Sequence, residues 1–128
     1  MHSLMTAMIV AVATLTGACG TDGQPPADQD SGSQLSEARE MFNAKCARCH
    51  GIAGGANGFF SDSLHPRPHN YTSAAWQASV TDDQIREMIV RGGLHMRKSP
   101  AMPGFPTLKN RPVLDGLVRL IRGFAKRP

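Results

Sequence analysis

The chain has 128 residues, enough for one small domain with appendages. Aromatic residues make up only 5% of it, so an ordinary apolar core is thin and a domain of this size needs a staple. Three cysteines are too few for a disulfide framework, and basic residues that are not interleaved with aromatics argue against nucleic-acid binding.

Leu4 to Ala18 is apolar and uncharged, and at about 15 residues it is short for a membrane span. It fits the apolar region of a signal peptide, so residues 1–18 are read as an export signal. The run ends in Thr16-Gly17-Ala18-Cys19, which resembles a bacterial lipoprotein signal, where small residues precede a cysteine that becomes lipidated. Thr16 stands where that family prefers Leu, and no Lys or Arg precedes the apolar run. The expectation is an exported, periplasmic chain with Cys19 as a lipid tether. Gly20 to Gln34 is mostly Gly, Asp, Gln, Pro and Ser without an apolar cluster, and residues 19–34 read as a flexible linker. A chain of that length has a typical reach of roughly 20 Å.

The folded domain is expected over residues 35–128. Leu35, Ala38, Met41 and Phe42 recur at helical spacing, which predicts a helix from about Ser36 to Cys46. It runs into Cys46-Ala-Arg-Cys49-His50, the attachment sequence of a c-type haem. The chemistry needs these residues in this order. Two thiols one helical turn apart add to the two vinyl groups of one haem, and the next residue brings an imidazole under the iron. A zinc site using Cys46, Cys49 and His50 competes, but there is no second Cys pair and His65, His69 and His95 have no recognisable ligand spacing. A redox dithiol also competes, but no strand pattern supplies its usual setting.

Gly51 to Gly58 reads as loop, and Phe59 to Thr72, with Leu64-His65-Pro66-Arg67-Pro68, as extended chain. Thr81 and Gln84 form a capping box that opens a helix with Ile85, Met88 and Ile89 on its buried stripe. Gly92-Gly93 stops it. Leu94 to Lys109 has no periodicity. A last helix starts near Pro112, with Val113, Leu114, Leu117, Leu120, Ile121 and Phe124 on one face.

Met102, between Pro100 and Pro103, is the candidate for the second axial ligand, because a neutral thioether is a soft donor that raises the potential. Met96 and His95 are its rivals. His50 should donate its other ring proton to a backbone carbonyl, for which Pro66 is the candidate. Arg67, Tyr71 and Trp76 are candidates to contact the haem propionates.

From about Leu35 to Phe124 the chain resembles a class I monohaem cytochrome c. The resemblance rests on a helix entering Cys46-Ala-Arg-Cys49-His50-Gly51, a Thr-Asp-Asp helix ending in Arg91-Gly92-Gly93, a Ser99-Pro100-Ala101-Met102-Pro103 loop and a terminal helix, in that order. It implies an all-α fold of three main helices around one covalent haem c, with the first and last helices crossing. It carries over Cys46, Cys49, His50 and Met102 as haem-binding residues, with His50 and Met102 on the iron. Leu94-His95-Met96-Arg97-Lys98 departs from the pattern by placing an extra His and Met near the ligand loop, which leaves ligand switching open.

From Leu35 onward 14 Lys and Arg face seven acids, Glu37, Glu40, Asp62, Asp82, Asp83, Glu87 and Asp115. Arg97, Lys98, Lys109 and Arg111 flank the Met102 loop. In the family this loop lies near the exposed haem edge, so the expected partners are redox proteins with acidic docking surfaces. The expected function is electron transfer, not enzymic catalysis on a small-molecule substrate. Two alternatives are a haem sensor or enzyme with a displaceable sixth ligand, and a fixed subunit of a respiratory complex.

Overall fold

The computed structural model describes residues 27–125, so the stretch read as an export signal and Cys19 lie outside the described residues. Helix α1 spans Ala27–Met41, and a π-helical turn over Phe42–Cys46 joins it to α2, Ala47–His50. A short α3 follows at Ala74–Ser79, then α4 at Asp82–His95 and α5 at Pro112–Gly123. Two 3-10 turns, Ser61–Ser63 and Pro106–Leu108, punctuate the connections. No strand occurs among the described residues, so the architecture is all-α as expected.

α1 corrects the expected start of the first helix. It begins at Ala27, inside the stretch read as linker, and the helical path continues past Cys46 to His50. Residues 27–34 carry no apolar periodicity, so only tertiary contact could reveal their conformation. That contact is visible on α5, where a Cβ at Gly116 would lie 2.6 Å from the Gln34 carbonyl oxygen and 3.0 Å from the Ala38 Cβ. The missing side chain lets the two helix backbones approach closely. Arg119 donates to Gln34 Oε1 at 2.6 Å across the same contact.

α5 buries Val113, Leu114, Leu117, Leu120 and Ile121 as the spacing predicts, and Val118 with them. Ala38 and Phe42 face them from the first helix, both fully buried, and Ile85 and Ile89 close the core from α4. The capping box of α4 is formed: Gln84 N–H donates to Thr81 Oγ1 at 3.2 Å, and Thr81 N–H to Gln84 Oε1 at 2.8 Å. The helix breaks at Gly92, with φ 77° and ψ 172°, and resumes for one turn to His95. A Cβ at Gly92 would stand 2.6 Å from the Gly104 nitrogen, so this break is also where the chain returning from the Met102 loop crosses α4.

α3 was not predicted: Ala74-Ala-Trp-Gln-Ala-Ser79 has too few turns to show a period. Its N-cap is the Ser73 hydroxyl, which accepts from Trp76 N–H. Arg122 on α5 holds the other end. Its guanidinium donates to the Gln77 and Val80 carbonyls, both at 2.7 Å, to Gln77 Oε1 at 2.8 Å and to Asp82 at 2.8 Å. Gln77 in turn donates to the Tyr71 and Ile121 carbonyls. Arg122→Met keeps the aliphatic stem but leaves these partly buried acceptors unpaired. We expect it to cost on the order of 2 kcal/mol. An unchanged urea midpoint would refute this role.

Candidate functional site

The first helix delivers the Cys-x-x-Cys-His segment to the centre of the domain. In its π turn the Ala47 N–H reaches back to the Phe42 carbonyl, adding one residue to the usual helical ring. Phe42 thereby stays in the core while Cys46, Cys49 and His50 line a cavity of about 560 Å³. That volume falls in the range of about 300–1,000 Å³ usual for small-molecule and cofactor sites. Ile85, Ile89, Leu117 and Ile121 form an apolar wall, and Met96 and Met102 both line the cavity from the loop after α4.

His50 is held in one tautomer. Its Nδ1 lies 3.4 Å from the His69 carbonyl, which can only accept, so Nδ1 carries the proton. The Nε2 lone pair is left free and accepts from the Tyr71 hydroxyl at 3.2 Å. Burial pushes the imidazole pKa down to about 4, against the His69 hydrogen bond that opposes the shift. The ring is therefore neutral at physiological pH, which is the metal-ligating form. The orienting carbonyl is His69, not Pro66 as expected. The extended chain after the Ser61–Ser63 turn passes along the cavity for several residues, and the carbonyl that meets Nδ1 comes three residues later. Nothing in residue type marks one backbone carbonyl over another.

Both thiols are free and half-buried. Burial, then the neighbouring Cys49, pushes the Cys46 thiol up to about 11, so it stands protonated. Tyr71 is buried, its hydroxyl raised above its ordinary pKa by desolvation. Its ring stacks on His50 at 4.6 Å and tilts against Trp76 at 4.8 Å. Arg67 lies at the cavity in an exposed ion pair with Asp62. His95 faces away: its ring meets Arg91 on the exposed side of α4, and it does not line the cavity.

The residues present suit a haem. The thiols and the imidazole lone pair form a donor set matched to covalent attachment and iron ligation. Lys45, Arg67 and Lys98 line the cavity and no Asp or Glu does, which suits a group carrying two carboxylates. The zinc alternative finds no support: among the described residues no group of three or more His, Cys, Asp or Glu is placed to hold a metal ion.

A search of curated proteins finds no match. The family described as "Cytochrome C oxidase, cbb3-type, subunit III" matches residues 33–115. Among solved structures, the "KustC0563 c-type cytochrome" is 29% identical, with a TM-score of 0.54 over 70% of this chain and 98% of that one. The chain therefore belongs to the cytochrome c family, as a class I monohaem cytochrome c that holds one haem c covalently.

Proposed function

We propose that this cytochrome carries single electrons between redox proteins, with His50 and Met102 as the axial ligands of its iron. The supporting observation is that the His50 lone pair and the Met102 side chain line one cavity with both thiols. The haem, when bound, supplies a one-electron couple at the iron. The chain's part is to hold and tune it. Cys46 and Cys49 anchor the macrocycle, and the His69 carbonyl keeps Nδ1 protonated so that Nε2 is the ligating nitrogen. The apolar wall excludes water. Nε2 would hold the iron, and the Tyr71 hydroxyl that now donates to it would then be available, with Arg67 and Trp76, for the propionates.

With both axial positions filled by the chain, no small molecule binds the iron. The expected result is a low-spin c-type spectrum, oxidised and reduced, that carbon monoxide does not shift. Ready carbon monoxide binding to the reduced protein would instead favour the sensor or enzyme reading.

The basic lip of the cavity suits acidic docking surfaces on the partner, so transfer rates should fall as ionic strength rises. The family's description as an oxidase subunit makes a fixed place in a larger assembly the second reading. A freely monomeric domain after removal of residues 1–26 counts against it. Export and a lipid tether at Cys19 remain part of the proposal, testable by the mass of the mature N-terminus. No helix of the described residues is long and apolar enough to cross a membrane.

A further inference from the structure

We propose that Met96 is an alternate axial ligand, able to take the iron position assigned to Met102. The inference rests on the His50 and Met102 reading above. It starts from the break in α4. Met96 closes the helical turn that follows Gly92, with its N–H on the Gly92 carbonyl at 3.4 Å. Met102 is held to the neighbouring glycine, its carbonyl accepting from Gly93 N–H at 3.0 Å. Lys98 N–H ties the chain between them to the Gly93 carbonyl at 2.7 Å. The two methionines therefore hang from the same pair of glycines, and both half-buried side chains line the haem cavity. Arg97, at φ 56°, makes the left-handed turn that ends the helical segment after Met96 and sends the chain back toward Met102.

The other candidate donors are placed differently. His95 is engaged with Arg91 outside the cavity. Met88 also lines the cavity, but it sits on the body of α4 between the buried Ile85 and Ile89. Its backbone is fixed within the helix, whereas Met96 sits at a helix end beside a break. A methionine side chain has three rotatable bonds and adapts its reach without backbone change. The exchange breaks one iron–sulfur bond and forms another. Both donors are neutral, so no electron or proton is transferred and the charge at the iron is unchanged.

The test uses the full haem-loaded protein and the variants Met96→Leu, Met102→Leu and the double variant. Leu keeps the volume of each side chain, so folding is retained. The readouts are the near-red thioether-to-ferric charge-transfer band and carbon monoxide binding by the reduced form. Met96→Leu is expected to keep the thioether band, because Met102 remains to supply it. Met102→Leu is expected to keep a low-spin iron and the thioether band, and the double variant to lose both and bind carbon monoxide. A Met102→Leu protein that turns high-spin and binds carbon monoxide at once would overturn the inference and leave the Met102 assignment standing. Loss of the band in Met96→Leu alone would make Met96 the resident ligand and overturn both. So would a double variant that stays low-spin, because the donor would then lie elsewhere.

Discussion

A chain carrying Cys46→Ser together with Cys49→Ser is expected to lose all covalently held haem and, with it, the stable fold. The reason lies in what the haem does for the core. The cavity of about 560 Å³ is walled by Phe42, Ile85, Ile89, Leu117 and Ile121, the same residues that join the helices. Without haem these apolar side chains line an open, solvent-filled space, and each forgoes about 1.5–3 kcal/mol of burial. A small domain is stable by only about 5–15 kcal/mol, so the helices cannot stay assembled around it. The variant should retain no haem after acid–organic extraction, and its helical circular dichroism should melt without a cooperative transition. A double variant that keeps haem through extraction would sink the attachment claim. One that loses haem yet melts cooperatively at the original temperature would sink the claim that haem completes the core.

This dependence explains which parts of the molecule were legible in the sequence. The attachment motif could be read because its chemistry fixes residue type and spacing together. α5 could be read because its buried face from Val113 to Ile121 repeats for more than two turns, and α4 because Thr81 and Gln84 cap it and Gly92 breaks it. The first eight residues of α1 could not, because they carry no apolar period, and the contact that Gln34 makes is with the bare backbone of Gly116 on a helix far along the chain. α3 could not, because it is too short to show a period and is held by Arg122 from another helix. The His69 carbonyl belongs to the same class. A contact made by a backbone atom depends on where the chain passes, and residue identity carries no trace of it. Met96 was visible as a rival, but its place beside Met102 follows from hydrogen bonds to Gly92 and Gly93 that no spacing rule predicts.

Phe42→Ala is expected to be the most damaging single substitution outside the haem-binding residues. Phe42 is fully buried, and its ring lies 5.1 Å from that of Phe124 and 6.5 Å from that of Tyr71. It also borders the cavity, so its removal enlarges the space beside the haem and does not leave an isolated gap. Truncating a buried Phe costs about 3–5 kcal/mol, a large part of the stability of a domain this size. The effect should reach the iron, because Tyr71, which packs on Phe42, also stacks on His50. Urea unfolding of the haem-loaded variant should show the loss, and Phe42→Leu should recover more than half of it by restoring most of the volume. A Phe42→Ala protein within 1 kcal/mol of the original, by the same measure, would mean that haem contacts alone hold the first helix against α5. The position of Phe42 makes the opposite outcome the expected one. It occupies the π turn whose carbonyl receives the Ala47 N–H, so the residue that anchors the helix to the core also sets the register in which Cys46, Cys49 and His50 meet the cavity. Packing and ligation are thereby coupled through one side chain, and weakening the first must loosen the second.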